Sequence, residues 1–314
     1  MKEAPIFSKS TQQDCLQLIE MAILEDIDAT NLATGMDCTT AAIVPRSSYA
    51  TAAFVSRSDG IICGVELVKL ALQRWAPNVE LKVNVDDGER VDAGQTIGVM
   101  RGLAHDILTM ERTCLNFMCR LSGISSLTRR FVDRISGTAA CVLDTRKTTP
   151  GWRRLEKYAV SCGGGRNHRM GLYDAIMIKD NHLAFFRSQV KKEGEVIPVA
   201  IRTAKRWIDE HASELPSGKA TVLQVEVDTL EQLRVALATD CDIVLLDNMN
   251  SEHLREAVEI RNQTSPEILL EASGGVNLES IVEIAKTGVE RISVGAVTHS
   301  ATNFDIGLDW RMSK

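Results

Sequence analysis

No stretch of this chain approaches the roughly 20 consecutive apolar residues that a membrane-spanning helix needs, so no span is expected. Met1 to Glu20 lacks the apolar core of a secretory leader, and the chain is expected to stay in the cytosol. Its eight cysteines include no Cys-x-x-Cys pair, and most lie inside apolar runs. That pattern argues for buried free thiols and against a disulfide framework or a zinc site. A basic excess is missing too: the net charge is −6, where a general nucleic-acid binder carries a positive face. There is no internal repeat and no low-complexity tract. Gly163-Gly164-Gly165 is neither a Walker loop nor a dinucleotide fingerprint. It reads either as a hinge or as an ordinary loop.

What is present is the composition of a soluble enzyme, with 314 residues, enough for one large domain or two ordinary ones. Residues 11–25 place Cys15, Leu18, Ile19, Ala22 and Ile23 on one helical face. Strands are predicted at Tyr49–Ser56, Val79–Val85 and Ile97–Met100, and a long helix over 104–134. From residue 139 the rhythm changes. Short apolar runs end in polar residues: Cys141–Asp144, Ala175–Asp180, Val222–Glu226, Ile243–Asp247, Ile268–Ser273 and Ile292–Gly295. Helical segments at 199–213, 229–238, 251–261 and 278–287 lie between them. Apolar strands without alternation, separated by helices, describe a parallel sheet covered on both faces. Six or seven strands are too few for a complete βα-barrel. The expectation is an incomplete α/β barrel with its functional face at the C-terminal strand ends; an open doubly wound sheet is the alternative. Residues 183–198 read as a surface loop.

Residues 144–180 hold eight Lys or Arg against four acids inside an otherwise acidic chain. Arg146 and Lys147 follow a strand end directly; His168, Arg169 and Lys179 come after the next loop and strand. Converging cations suit a small ligand with two carboxylates, because charge-assisted bonds to Arg are strong and directional. Lys179 ends an apolar run, so it is expected to be buried against an anion. Arg153, Arg154 and Lys157 fit a solvated helix start. Arg112 shares a helical face with Leu108 and Leu115, which calls for an acid or a ligand. Glu226 and Asp247 end two neighbouring strands, where they would bind Mg²⁺ through water, hold ribose hydroxyls or face a developing cation; strand-end capping is the plainer alternative. Ser273-Gly274-Gly275 and the turn Gly295-Ala296 to His299-Ser300 follow the last two strands and offer backbone N–H groups to phosphate.

These motifs closely resemble the quinolinate phosphoribosyltransferase family. The matching text includes Glu111–Phe117, Arg120-Leu-Ser-Gly123, Asp144–Gly151, Glu156–Ala159, Cys162–Gly165, Asn167–Asp174, Ile178–His182, Val225-Glu-Val227, Leu245–Met249, Glu271–Gly275 and Ser293–Ala296. It spans nearly the whole chain. Two departures stand out: 25–40 lacks the family's usual glycine-aspartate pattern, and 183–220 is longer than in many members. The resemblance implies a type II phosphoribosyltransferase-like fold. An N-terminal α/β sandwich would span 1–115, with the tail 302–314 packed on it, and an incomplete βα-barrel would span 116–301. It implies phosphoribosyl transfer from phosphoribosyl pyrophosphate to quinolinate with decarboxylation, giving nicotinate mononucleotide for NAD synthesis. It implies Mg²⁺ without an organic cofactor, no nucleic-acid or membrane partner, and a homodimer with shared sites. Arg112 would reach the partner's quinolinate. Arg146, Lys147, His168, Arg169 and Lys179 would line the quinolinate and phosphate region. Glu226 and Asp247 would sit by ribose and Mg²⁺. Ser273, Gly274, Gly275, Gly295, Ala296 and His299 would hold phosphates. Lys147, Lys179, Glu226 and Asp247 are the expected catalytic groups. The competing readings are a related transferase with another anionic acceptor, as in the molybdenum-associated paralogues, and a non-enzymatic metabolite-binding protein.

Overall fold

A computed structural model describes residues 7–27, 37–212, 214–215 and 221–311. Parts of the two departures, at 28–36, 213 and 216–220, lie outside the described residues. The chain divides into two compact units. The first comprises 1–129, 148–165 and 297–314, and the second comprises 130–147 and 166–296.

The first unit is built on a four-stranded antiparallel sheet. Its strands are β1 (Tyr49–Ser56), β3 (Glu80–Val83), β5 (Thr96–Leu103) and the closing strand β12 (Ile306–Arg311), in the order β12-β1-β5-β3. A small ribbon pairs β2 (Gly60–Ile61) with β4 (Arg90–Val91). Ala52, Ala53 and Phe54 of β1 and Ile97 and Met100 of β5 are buried. Helix α1 (Lys9–Ile27) buries Thr11, Cys15, Ile19 and Ile23, a strict fourfold spacing on one stripe. A short helix α2 (Cys38–Ile43) precedes β1 and is capped by the Asp37 carboxylate, which accepts the Thr40 N–H at 3.0 Å. Helix α3 (Val65–Trp75) follows β2, and Asp87 accepts the Val65 N–H at 2.8 Å and the Tyr158 hydroxyl at 3.0 Å. Burial pushes the Asp87 carboxyl up to about 6, although these bonds favour its charged form. Helix α4 runs from Ala104 to Arg134, matching the long helical pattern residue for residue.

Helix α5 (Arg153–Cys162) corrects one expectation. Arg154 pairs with Asp14 at 3.3 Å, while Lys157 is fully buried and is no part of a solvated face. Glu156 is equally buried and takes Arg120 Nη2 at 2.9 Å, the Thr149 hydroxyl at 2.9 Å and the Thr149 N–H at 3.2 Å. Arg120 also donates to the carbonyls of Ala301 at 2.8 Å and Thr298 at 2.6 Å. One buried ion pair thus joins α4, the loop before α5 and the C-terminal segment. Burial of such a pair is tolerable only because the remaining donors are satisfied in this way. The glycines that follow are a packing requirement, not a hinge. A Cβ at Gly163 would stand 2.5 Å from the Ser125 carbonyl oxygen and 2.6 Å from Thr128 Cβ, and Gly164 has φ +89°.

The second unit carries six parallel strands: β6 (Cys141–Leu143), β7 (Ile176–Ile178), β8 (Leu223–Val227), β9 (Ile243–Asp247), β10 (Leu269–Ser273) and β11 (Arg291–Ser293). Their order is β6-β11-β10-β9-β8-β7. The two edges β6 and β7 do not pair with each other, so the barrel is open. Every residue of β8 is buried, as a strand covered on both faces requires. Between the strands run α6 (Asp180–Arg187), α7 (Val196–Glu210), α8 (Leu230–Leu237), α9 (Ser251–Thr264) and α10 (Ser280–Ala285); α11 (Ala296–His299) follows β11. The expected loop at 183–198 is corrected. It contains most of α6, a 3₁₀ turn at Glu193–Glu195 and the start of α7. The turn is held by Arg187, whose Nη2 lies 2.7 Å from Glu193 Oε1.

The cysteines are free thiols, and Cys15, Cys63, Cys114, Cys162 and Cys241 are buried. Burial pushes the Cys114 thiol up to about 12, far from a reactive thiolate. The glycine packing yields a direct test. Gly163→Ala is expected to lower unfolding free energy by about 1–3 kcal/mol, the usual cost of overpacking. Gly194→Ala meets nothing within 4 Å, and its expected change is within about 0.5 kcal/mol. Urea unfolding of both variants checks the contrast.

Candidate active site

In the second unit the strand register lines polar side chains along one face. Glu226 is level with Leu245, Leu245 with Glu271, and Glu271 with Arg291; two residues further on, Asp247 is level with Ser273. In a parallel βα sheet this C-terminal edge is where loops and side chains meet a ligand.

Glu271 is fully buried in β10. Its carboxylate accepts Arg291 Nε–H at 2.7 Å and the Ser293 hydroxyl, and His168 Nε2 stands 3.2 Å from Oε1. Burial by itself raises the carboxyl's pKa. The bonds from His168, Arg291 and Ser293 outweigh it and hold Glu271 down at about 2. Asp144 is the second buried acid and accepts the His168 backbone N–H at 2.8 Å. The other ring nitrogen of His168, Nδ1, accepts the Arg169 backbone N–H at 2.7 Å.

Arg169 is half-buried, and its Nη1–H bonds the Ala175 carbonyl at 3.1 Å. Burial and then the neighbouring Arg146 guanidinium depress the Arg169 pKa, with Asp174 opposing them. Two guanidinium groups held close enough to repel each other form a site with a demand for an anion. Arg146 and Lys147 are exposed beside β6. Lys179 corrects another expectation: its side chain is 43% exposed, not buried. Its anionic partner is real, because Lys179 Nζ bonds Glu226 across the neighbouring strands β7 and β8.

Asp247 ends β9 and accepts Asn248 Nδ2–H at 2.7 Å. Asn248 has φ 54°, and its N–H donates to the Ser273 carbonyl at 2.9 Å. Gly274 has φ +100°, and a Cβ there would lie 2.1 Å from Asn248 Oδ1. The Asp247-Asn248 and Ser273-Gly274 turns are therefore one interlocked structure. Gly275, at φ +58°, has open space where a side chain would be, which leaves its backbone approachable. Gly295 and Ala296 are half-buried after β11.

Two expected site residues belong to the first unit. His299 is exposed, and its Nδ1 lies 2.7 Å from the Ser300 hydroxyl. Arg112 is exposed and makes no hydrogen bond or ion pair with a described residue. Its placement on an apolar stripe is corrected: the buried side of α4 runs through Ile107, Met110, Cys114, Leu115 and Met118. Sequence reasoning did not single out Glu271, Asp144 or Asn248. A carboxylate inside Leu-Leu-Glu-Ala was the available signal, since a buried acid requires donors. A cavity of about 770 Å³ lies between α7 and α8, lined by Ile201, Arg202, Val235 and Asp240 among others, and not by the strand-end residues.

Six parallel strands in an open barrel, with Arg146 and Arg169 in the segment between β6 and β7 and carboxylates at the ends of β8 and β9, give the frame of an α/β-barrel enzyme. The family models for the N-terminal and C-terminal domains of quinolinate phosphoribosyl transferase match residues 37–122 and 124–309, and the chain belongs to this family. It is 42% identical to the nicotinate-nucleotide pyrophosphorylase (carboxylating) of Mycobacterium leprae, over 93% of this chain and 95% of that protein. It is 38% identical to a probable nicotinate-nucleotide pyrophosphorylase (carboxylating) of Bacillus subtilis, covering 95% and 93%. The solved nicotinate-nucleotide pyrophosphorylase of Francisella tularensis superposes with a TM-score of 0.83 at 36% identity, covering 96% and 97%.

The depressed Glu271 carboxyl gives a signed pH dependence. A folded pKa near 2 against an ordinary 4.5 stabilises the fold above about pH 4.5, and this contribution is lost as pH falls towards 2. Glu271→Gln is expected to be less stable at neutral pH and to lose less on acidification. Urea midpoints of the two proteins across that window check it; parallel acid limbs would refute it.

Proposed function

We propose that this chain transfers the phosphoribosyl group of phosphoribosyl pyrophosphate to quinolinate, releasing pyrophosphate and CO₂ and forming nicotinate mononucleotide. The observation that carries the reading is that Arg146 and Arg169 lie close enough to repel each other in the same unit as the Glu226 and Asp247 strand ends, in a chain of this family. A dicarboxylate relieves the repulsion between the two guanidinium groups, and bidentate contacts fix its ring in one orientation. Lys147 and Lys179 add positive charge around the same ligand. Quinolinate suits this set because its two adjacent carboxylates need several cations in one plane.

The sugar end falls to the carboxylates. As the bond from ribose C1 to pyrophosphate loosens, positive charge develops on the sugar, and Glu226 and Asp247 lie where they would stabilise it. The pyridine nitrogen attacks C1. The quaternised nitrogen then stabilises the electron pair left when the adjacent carboxylate departs as CO₂, and a proton replaces it. The Ser273-Gly274-Gly275 and Gly295-Ala296 turns offer backbone N–H groups to phosphate, with His299 assigned to the same task by family resemblance.

Among the described residues no three His, Cys, Asp or Glu side chains form a metal cage. Mg²⁺ fits in a different way, since it favours one or two carboxylates with substrate phosphates and water. Asp247, half-buried at a strand end, is the best-placed ligand, and Glu226 is the second. When bound, Mg²⁺ would neutralise charge on the pyrophosphate. No organic cofactor is required by this chemistry. The exposed Arg112 is assigned to the partner's site in a homodimer, which accounts for a cation that lacks a partner among its own described neighbours. No described helix is long and apolar enough to cross a membrane, and a cytoplasmic enzyme is proposed.

Purified protein with Mg²⁺, phosphoribosyl pyrophosphate and quinolinate is expected to release CO₂ and form nicotinate mononucleotide, read by trapped CO₂ and chromatography. Turnover of a different pyridine or pyrimidine acid instead would favour a related transferase with another acceptor. Binding without turnover would favour a metabolite-binding protein. The shared site has its own test. Inactive Arg112→Ala mixed with inactive Lys179→Ala should regain activity on subunit exchange, because one hybrid site is then intact. Exchanged mixtures that stay inactive would count against it.

A further inference from the structure

Asn248 stands between two strand ends of the second unit. It follows Asp247, the last residue of β9, and its side-chain Nδ2–H donates to Asp247 Oδ2 at 2.7 Å. A carboxylate only accepts, so the amide must turn its nitrogen towards it. Asp247 Oδ1 takes no hydrogen bond from a described residue. The Asn248 backbone is fixed separately. Its N–H donates to the Ser273 carbonyl at 2.9 Å, and Ser273 is level with Asp247 in the sheet register. Among the described residues Asn248 is the one non-glycine in the left-handed region, at φ 54°. Asparagine tolerates that region better than most side chains, yet it still costs free energy. Such a backbone persists only where its surroundings hold it.

From this geometry we infer that Asn248 is a positioning residue, which aims the Asp247 carboxylate and ties it to the Ser273-Gly274-Gly275 turn. The inference deepens the function proposed above and rests on it for the part that Asp247 plays at the sugar. The amide nitrogen fixes Oδ2 and leaves Oδ1 to a ligand. The backbone N–H fixes the spacing to the end of β10. The amide oxygen fills the space over Gly274, where a Cβ would lie 2.1 Å from Asn248 Oδ1 and 2.7 Å from its Cγ. Glycine at 274 is therefore required by the Asn248 amide, whatever the turn binds.

Backbone conformation alone does not account for this residue. If the turn required only a left-handed φ, glycine would meet it at no steric cost. Aspartate has the same size and also tolerates the region. It cannot donate when ionised, however, and it would place a second negative charge beside Asp247. Of the three, only asparagine combines the backbone with an N–H for the carboxylate.

Asn248→Gly separates the two roles, because it keeps the left-handed backbone and removes the amide. Its urea midpoint is expected to stay near that of the wild type. Its kcat/KM for phosphoribosyl pyrophosphate is expected to fall about ten- to a hundredfold, the scale of one hydrogen bond to a charged group. The KM for quinolinate should stay within about threefold, because the acceptor is held by Arg146 and Arg169 and not by Asp247. Asn248→Asp should lose at least as much as Asn248→Gly. Full activity in a folded Asn248→Gly or Asn248→Asp would overturn the inference, and so would an equal loss expressed in the quinolinate KM. A second readout needs no turnover. In ¹⁵N-labelled protein at constant pH, the Asn248 side-chain N–H is expected to exchange with solvent about tenfold faster in Asp247→Ala than in wild type, as that hydrogen bond is lost. Unchanged exchange would overturn the aim of the carboxylate. Should Asn248→Gly fail to fold, Asn248→Asp and the exchange rate carry the test. Wild-type protein that does not turn over quinolinate would sink the proposed function, and the exchange rate would still decide whether Asn248 holds Asp247.

Discussion

The organisation of the second unit depends on burying two acidic side chains, Asp144 and Glu271, with Glu271 held ionised away from water. A bare carboxylate in that position would protonate or disrupt the sheet, because desolvation of a charge is far more costly than a lost hydrogen bond. Arg291 and the Ser293 hydroxyl donate to Glu271, with the His168 ring 3.2 Å away, and the His168 N–H donates to Asp144. These groups lie on the strand β11 and in the loop after residue 165, so accommodating the acids also bears on where that loop runs. The loop carries Arg169. The placement of a half-buried cation is therefore tied to the burial of the anions in the same unit.

The same division recurs across the face. Buried acids define geometry and accessible cations remain available to a ligand. Lys179, just after β7, and Glu226 on β8 are paired across a strand boundary, and the pair is half in solvent, so it is worth little to the fold. Its consequence is positional: it holds an ammonium and a carboxylate at adjacent strand ends. Asp247 is held similarly by Asn248, and the left-handed Asn248 is in turn locked against Gly274. None of these contacts requires a ligand. Preorganisation of this kind is what a transferase of charged substrates needs, since donors already aimed cost no reorganisation during the reaction.

Much of this was legible in the sequence, for reasons that differ by element. The six strands of the open barrel stand out because strands buried on both faces leave uninterrupted apolar runs, and α4 stands out because its periodicity persists for many turns. The candidate cations stood out because Arg146, Lys147 and Lys179 follow the ends of those runs. The misreadings have a common cause. Lys157 looked solvated and Lys179 looked buried because a linear pattern gives a neighbour's polarity but not which side of the element is covered. Arg112 was placed on an apolar stripe from Leu108 and Leu115, yet α4 turns its buried face about one residue away. Helix α6 was hidden because its eight residues carry a single buried side chain, Leu183, too few for a period to show. Glu271 lay in plain view within an apolar run, but the His168 ring that stands 3.2 Å from it lies more than a hundred residues away in the chain.

That distance bears on how specificity for the acceptor is set. A ligand stabilises a protein only through interactions made with the bound state and absent elsewhere. Cations already neutralised by acids would gain little from a dicarboxylate. Arg169 departs from this pattern: burial and then the Arg146 guanidinium depress it, and Asp174 does not offset them. The protein thus buries Glu271 against its own donors and leaves the Arg169 guanidinium beside the like charge of Arg146. An acceptor with one carboxylate relieves part of that repulsion, and an acceptor with two adjacent carboxylates can engage both groups while its ring nitrogen is held in a single direction. Selection for a dicarboxylate over a monocarboxylate then follows from where the buried acids are absent as much as from where the arginines are present.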